Sequence, residues 1–422
     1  MLKKVLKYIL PVFIRKNLRK YFYAFLLGSN NRMYANIFGL SHQKIIFLDN
    51  LQPVKVIEEA LISNVVSPSI NDNKKYYIDV VAPAVGLYTL DNIVVNATSS
   101  NFITQNNMII ERIPSIDLEY CDYSTGAIVL HDSKKAICRT VKLNLQEIND
   151  GIFLGGNGSW NYYHWMTEIL PKIEFLKKND IFGLSNNLLV SDVVGITESF
   201  KKTLEEALKE NTVNVIYLNP LEYYKVNKLY VVSTPNNVLF NSKKVITSVK
   251  YNFYRKKSLN YVREIVLNMM YRYNQTKLAF EVNNLKNEQG HVHIFLARKK
   301  ESARKYNQDE MFDLLSREFN VKAVYIEDYT IEEQAFIFSM ADLIIGPSGA
   351  AWTNLIFSKE GTVAISWIPT HLKDFSVYST IASYYGVQKY FIDCMPKNNK
   401  ELHSDYEVSL DRIRIQLQHL GF

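Results

Sequence analysis

GPSGAAWTN, Gly346 to Asn354, follows directly on the apolar run ADLII, residues 341–345. An apolar strand that ends in Gly-Pro-Ser-Gly and restarts as a small-residue helix has two chemical readings. In the first it is an anion cradle, because the free N–H groups and the dipole at a helix N-terminus both favour negative charge. In the second it is a nucleophile elbow of the G-x-S-x-G kind, with Ser348 as nucleophile and Ala350 in place of the last glycine. The neighbouring sequence has to separate them.

Around this stretch strands and helices alternate. HVHIFLAR (291–298) reads as a strand, NQDEMFDLLSREF (307–319) as a helix, VKAVYIED (321–328) as a strand and TIEEQAFIFSMA (330–341) as a helix. DLIIG, helix GAAWTNLIFS, and strands TVAISWI and YFIDC complete the block before a final helix, DRIRIQLQHLGF. Alternation of this kind predicts a mainly parallel sheet covered by helices. Thr330 with Glu333 is a capping box that marks one helix start. Ligands in such sheets lie beyond the carboxyl ends of the strands. Strand HVHIFLAR ends at Arg298, and Lys299, Lys300, Arg304 and Lys305 follow in the next loop. If that strand neighbours DLIIG, the basic loop faces the small-residue turn and a diphosphate fits between them. Arginine offers a forked, permanently charged donor. Gly349, Ala350 and Ala351 allow close backbone approach, while Ser348, Thr353 and Asn354 add hydroxyl and amide donors. The plain alternative is a tight helix-to-strand contact beside a solvated basic loop. A Walker pattern and a G-x-G-x-x-G are both missing, which argues against a P-loop or a standard dinucleotide site.

The first half carries a second glycine-rich turn, GGNGSWNYYHWMTEILPKIEFL (155–176). His164 and Glu168 are four apart, so they share a helix face, with Pro171 distorting the turn beyond. Either is a candidate general base for an acceptor hydroxyl. The structural alternative is a buried pair that supports the loop. Upstream, residues 43–150 read as short strands, and from GGNGSW onward strands and helices alternate. The chain of 422 residues is too long for one core. It divides into a basic amphipathic helix (1–30), a β-rich then α/β acceptor-side domain (31–245), a bridge (246–290), a nucleotide-binding domain (291–400) and a C-terminal helix (401–422). The fold class is α/β, with two doubly wound halves facing a cleft.

Forty-nine Lys and Arg against 42 Asp and Glu give a net charge of +7, too even a balance to indicate nucleic acid. The opening segment is different, with Lys3, Lys4, Lys7, Arg15, Lys16, Arg19 and Lys20 among bulky apolar residues and no acid before Asp49. It is too short in apolar run for a membrane span and lacks a cleavage pattern. It reads either as an interfacial helix on an anionic leaflet or as an ordinary terminal helix. Cys121, Cys138 and Cys394 are unpaired in spacing, which fits a reduced, cytoplasmic protein without a metal framework.

YYHWMTEILPKI, FLARKKESARK and EEQAFIFSMADLIIGPSGAAWTNLIF, in that order, resemble glycosyltransferase family 61, over roughly residues 150–370. The resemblance implies a GT-B fold, a nucleotide-sugar donor held by the C-terminal domain, inversion at the anomeric carbon and no required metal or other cofactor. The bacterial capsule and surface-polysaccharide branch implies a glycan or glycolipid acceptor at the inner face of the cell membrane, contacted through the N-terminus. Arg298 falls on the family's Ser-Arg position with Ala297 replacing the serine. Ser348 stands where many members have histidine in Gly-x-His-Gly-Ala, and Glu333, Gln334, Thr353 and Asn354 match. The rival serine hydrolase requires Asp374 or Asp393 with His403 or His419. It is disfavoured by Pro347, which restricts the strained elbow, and by the short sheet after Ser348. A non-catalytic binding protein of degenerate transferase fold is the third reading.

Overall fold

The computed structural model describes residues 25, 39–71, 75–105, 107–111, 127–131, 134–141, 145–238, 252–299, 304–369, 372, 375–397 and 404–422. The expected basic helix, apart from Phe25, lies outside these residues, as do the first part of the bridge and the hydrolase candidates Asp374 and His403.

Two sheets organise the chain. In the first, β1 (Val85–Val95), β2 (Gln146–Leu154), β3 (Asn187–Ser191), β4 (Asn214–Leu218) and β5 (Tyr224–Val232) lie in the order β4-β3-β2-β5-β1. β2 runs parallel to β3 and β5, and β3 parallel to β4, whereas β1 is antiparallel to β5. Beyond β1 the same sheet continues through Asn101–Ile103, Asn107–Ile110, Leu40–Phe47, Lys135–Arg139 and Ile128–His131. Most of the β-rich N-terminal strands therefore extend the α/β sheet, while Leu61–Val66 and Tyr77–Ala82 pair antiparallel as a two-stranded sheet of their own. Val226 and Leu229 on β5 pair with Ile93 and Leu90 on β1, and all four are buried.

The second sheet contains β6 (His293–Leu296), β7 (Lys322–Val324), β8 (Leu343–Pro347), β9 (Val363–Pro369) and β10 (Gln388–Pro396), ordered β7-β6-β8-β9-β10 and all parallel. Every residue of β6 and β8 is buried, as apolar runs such as IFL and LII require in a sheet covered on both faces. Tyr406–Glu407 adds an antiparallel edge to β10.

Helices α1 (Tyr162–His164), α2 (Lys172–Lys178), α3 (Glu198–Leu208), α4 (Lys256–Arg272), α5 (Gln308–Phe319), α6 (Ile331–Met340) and α7 (Val377–Tyr384) cover these sheets. Val262 and Val266 of α4, Ala335 and Phe338 of α6, and Trp165 belong to one apolar cluster that also holds Ile152 of β2 and Ile344 of β8. One core thus runs from the first sheet to the second through α4, within the segment expected as a bridge. Thr330 and Glu333 form the expected capping box on α6. Among the described residues no helix is long and apolar enough to cross a membrane.

Two expected α-helices differ. The helix expected to carry His164 and Glu168 is broken: α1 passes into a π-helix, Trp165–Ile169, and α2 starts after Pro171. Pro171 has no N–H for the carbonyl of Thr167. The amide of Asn236 donates to that carbonyl at 2.6 Å instead, while the Leu170 N–H reaches back to Trp165 O at 2.9 Å, closing the wider turn. GAAWTNLIFS, expected as an α-helix, is a 3₁₀ helix over Ala350–Phe357.

Candidate active site

In the second sheet the strand order reverses between β6 and β8, the position where doubly wound sheets take ligands. Arg298 follows the end of β6, and Ser348 and Gly349 follow the end of β8. A cavity of about 310 Å³ opens there, lined by Ala297, Arg298, Arg304, Pro347, Gly349 and Ala350 among others. Arg298 donates from Nη2 to the Ser348 carbonyl at 2.6 Å, and Arg304 donates from Nη2 to the same oxygen at 3.0 Å. Among the described residues neither guanidinium has a carboxylate partner. Burial, and after it the Arg298 guanidinium, holds the Arg304 pKa below its usual value. Two cations converge on one neutral oxygen, an arrangement that favours an added anion.

Aromatic and amide groups brace this pair. The Arg298 N–H donates to Gln308 Oε1 at 2.7 Å, and Gln308 Nε2 returns a bond to Arg298 O at 2.9 Å. Tyr306 donates to the same Gln308 oxygen at 2.9 Å and stacks on Tyr406 with centroids 5.4 Å apart. Trp367 Nε1 donates to the Tyr406 hydroxyl at 3.1 Å. The braces come from the start of α5 (Gln308), from β9 (Trp367) and from the Tyr406–Glu407 edge strand, so Arg298 is held in place from several elements.

The predicted site residues separate into those that reach the cavity and those that do not. Gly349 and Ala350 line it. Gly349 has an extended backbone, φ 176°, so its need for glycine is spatial: a Cβ would lie 3.3 Å from Arg298 Nη2. Ser348 serves through its carbonyl. Lys305 is exposed and engages through its backbone, its N–H donating to Asp405 at 2.8 Å and its carbonyl accepting from Tyr406 N–H at 3.1 Å. Thr353 and Asn354 are sealed, 1% and 0% exposed, and line neither this cavity nor the one beside it. Asn354 instead ties the two halves together, its amide donating to Gln334 Oε1 at 3.0 Å and its oxygen accepting from the Tyr162 hydroxyl at 2.5 Å.

From the first half, α1 delivers His164. Asn161 caps the turn by accepting from the Tyr163 N–H at 2.9 Å. Gly158, at φ +74°, is required twice over, since a Cβ there would lie 2.3 Å from His164 Cδ2. His164 Nδ1 meets Glu168 Oε2 at 2.7 Å, and the other Glu168 oxygen accepts from the Val238 N–H at 3.2 Å. Both candidates are therefore adjacent and mutually oriented. With Nδ1–H given to Glu168, the basic lone pair of the imidazole is on Nε2. The His164 and arginine regions approach one another through tyrosines: Tyr163 meets Tyr378 edge to face with centroids 6.2 Å apart. Burial raises the Tyr378 phenol, and the Arg304 and Arg298 guanidiniums pull it down.

A second cavity, about 530 Å³, adjoins the first and shares Ile326, Glu327 and Ala351 with it. Its remaining walls come from both halves, with Trp160, Tyr162 and the start of α3 facing the start of α6. Glu327, Tyr162, Tyr378 and Tyr406 are all absent from the sequence-based site. Glu327 carries a sequence signal, being an acid at the end of the strand after the Arg298 loop, and Tyr162 stands two residues before His164 in the YYHW stretch. Tyr378 and Tyr406 come from far along the chain, and nothing local marks them. For the hydrolase reading, His419 is exposed at the end of the C-terminal helix, and among the described residues no histidine hydrogen-bonds to Ser348.

Residues 162–365, which include His164, Glu168 and the GPSGAAWTN turn but begin after the glycines of the first turn, match the family described as Glycosyltransferase 61. No curated protein matches the chain.

Proposed function

We propose, from the premise that this chain is an enzyme carrying a glycosyltransferase 61 domain, that it is an inverting transferase of GT-B architecture that works without a metal. It moves a sugar from a nucleotide-sugar donor to a hydroxyl of a cell-surface polysaccharide or glycolipid precursor. The observation that carries the reading is the pair of guanidiniums, Arg298 and Arg304, converging beside Gly349 without a carboxylate partner among the described residues. A leaving diphosphate supplies the charge they lack.

In this mechanism the donor diphosphate lies across Arg298, Arg304 and the N–H groups at the start of the Ala350–Phe357 helix. The acceptor oxygen attacks the anomeric carbon from the side opposite the diphosphate and forms the new glycosidic bond. The old bond breaks with its electron pair moving to the phosphate oxygen, where the arginines stabilise it. His164 Nε2 takes the proton of the acceptor hydroxyl, and Glu168 holds the imidazole and stabilises the cation that results. Residues 291–400 form the donor side and 31–245 the acceptor side. Ser348 adds at most a hydroxyl beside the phosphate, since its carbonyl already serves the arginines. The chain acts in the cytoplasm against the inner face of the membrane, which its basic opening segment contacts.

Calorimetric titration with UDP, GDP, CDP and ADP tests the site. The best of these binds equally with and without EDTA, and Arg298→Ala weakens it tenfold or more, the value of a charge-assisted hydrogen bond pair. Binding abolished by EDTA defeats the metal-free mechanism, and unchanged affinity in Arg298→Ala defeats the assignment. Removal of residues 1–25 releases the protein from anionic vesicles while nucleotide binding stays intact. Equal vesicle binding of the two forms refutes the membrane contact.

A further inference from the structure

Pro171 leaves the turn that carries Glu168 with a carbonyl the helix cannot satisfy from within. That carbonyl belongs to Thr167, which is sealed from solvent, and a buried oxygen without a donor is costly. The donor comes from another strand. Asn236 lies past the end of β5, the parallel neighbour of β2, so the carboxyl ends of both strands open on the same side. Its Nδ2 gives one hydrogen to Thr167 O at 2.6 Å and the other to Ser258 Oγ at 2.9 Å, while its Oδ1 accepts from the Arg255 N–H at 2.6 Å. Arg255 is the N-cap of α4, and Ser258 lies in its first turn. Asn236, Thr167, Arg255 and Ser258 are all buried. The amide is thus fixed by the start of the helix that runs through the shared core, and aimed at one oxygen of the turn.

Residues 234–238 meet the turn at three places. Thr234 donates to Glu111 Oε1 from its N–H at 2.5 Å and from its hydroxyl at 2.7 Å, and the other Glu111 oxygen lies 3.6 Å from Lys172, the first residue of α2. Asn236 supports Thr167, and Val238 gives its N–H to Glu168 Oε1 at 3.2 Å. Between these contacts Asn237 is bridged to Phe253 in both directions, at 2.9 and 3.1 Å, which keeps the stretch from sliding along the turn. Inside the turn the Thr167 hydroxyl donates to Tyr163 O at 2.7 Å, a back-bond of the kind that bends helices. The widened turn that results, Trp165–Ile169, contains Glu168, and such turns are frequent at functional sites.

We infer that Asn236 is the positioning residue of the His164–Glu168 pair: by supporting the Thr167 carbonyl it holds the turn in the shape that lets Glu168 reach His164 Nδ1 and the Val238 N–H together. This rests on the reading of His164 as the base. Asn236 is sealed and lines neither cavity, so it acts through Glu168 and not on a substrate. Without its support the Thr167 oxygen finds a donor only by admitting water or by moving the backbone. Either change lets the Glu168 carboxylate leave the imidazole. His164 then keeps neither one tautomer nor one orientation, and the lone pair on Nε2 faces the acceptor for only part of the time.

Long-range nitrogen–proton NMR spectra of the full chain, isotope-labelled at its histidine nitrogens, read the tautomer without any substrate. They are taken at about pH 9, where an imidazole of ordinary pKa is neutral, and His164→Ala identifies the His164 signal. The unmodified protein shows His164 as the Nδ1–H form alone. Asn236→Leu, similar in shape and unable to donate, loses that signal to the Nε2–H form or to an average of the two, while the other histidines stay as they were. Asn236→Ser guards against a variant that fails to fold, because it leaves room for a water at the Thr167 oxygen, and it shows the same loss. Calorimetric binding of UDP, GDP, CDP and ADP is unchanged in both. An Nδ1–H signal that survives in every variant that folds overturns the inference and leaves the base reading standing. Loss of nucleotide binding along with the signal marks a general collapse of the site and overturns the positioning role. An Nε2–H signal for His164 in the unmodified protein overturns the pair itself and this inference with it.

Discussion

At the turn from β2 into α1 the ionisable groups come in pairs. His164 has Glu168 at 2.7 Å, and behind them Lys172 has Glu111 at 3.6 Å, with both of the latter almost wholly buried. The turn from β8 is arranged the other way, with Arg298 and Arg304 sharing one carbonyl oxygen and no carboxylate among the described residues. Both turns begin from a parallel strand and both use glycine to bring the backbone close. The difference separates two kinds of work. A paired imidazole keeps one tautomer and one orientation, which proton transfer needs. Unpaired guanidiniums hold a field ready for an anion that arrives with the substrate.

The comparison breaks first on His164. His164→Ala lowers turnover about 10²- to 10⁴-fold and leaves nucleotide affinity unchanged, because the proton moves in the transition state. Glu168→Gln has the same signature with a smaller loss, since the amide oxygen still accepts from Nδ1. Steady-state kinetics beside calorimetry separates the two effects. Normal turnover in both variants moves the base elsewhere and leaves this pair a structural one.

Lys172 sharpens the same contrast through stability. Lys172→Met leaves the Glu111 carboxylate buried without its cation and destabilises the fold by about 3 to 5 kcal/mol. Denaturant unfolding reads the change, and a loss below about 1 kcal/mol shows that Glu111, which also accepts from the Thr234 N–H and hydroxyl, does not depend on Lys172.

At the second turn, bulk outweighs the hydroxyl. Gly349→Val places a branched side chain against Arg298 and lowers nucleotide affinity tenfold or more. Ser348→Ala removes a hydroxyl whose carbonyl does the holding, and costs no more than about 1.5 kcal/mol. Stoichiometric labelling of Ser348 by a serine-directed phosphonate reverses this order and restores the hydrolase reading.

The smallest effect belongs to Lys389 of β10, a second buried lysine. Its Nζ lies 2.9 Å from the centroid of the Trp352 ring and, among the described residues, has no hydrogen-bond partner. Burial drives its pKa well below the ordinary lysine value. Between the folded and unfolded pKa values the unfolded chain carries a proton that the folded chain lacks, so stability rises with pH there. Lys389→Met therefore raises Tm by about 2 °C or more at neutral pH, and the gain shrinks as the pH approaches 10. A lower Tm in this variant means that the amine is charged and held by the ring face.

Much of this architecture is legible residue by residue. IFL (294–296) and LII (343–345) announce buried parallel strands because every position in them is apolar, and Thr330 with Glu333 announces a helix start because the two side chains satisfy each other's backbone. Arg298 is legible as a strand-end cation, and the spacing of His164 and Glu168 is legible as a pair. The break at Pro171 is half legible: proline predicts that the Thr167 carbonyl loses its donor, but that Asn236 replaces it depends on a strand end far along the chain.

What the sequence by itself determined is therefore local, namely the alternation, the caps, the glycine turns and the residue types that meet anions and protons. Each follows from interactions within a few residues, where chain connectivity already keeps the partners close. The tertiary structure alone decided that β6 and β8 are neighbours, so that Arg298 and Arg304 reach the Ser348 carbonyl. It also decided that Asn354 is a buried tie to Tyr162 instead of a surface donor, and that Glu327 stands where two cavities join. These are contacts between segments whose adjacency depends on strand order and on one core shared by both sheets, and no short window of sequence contains them.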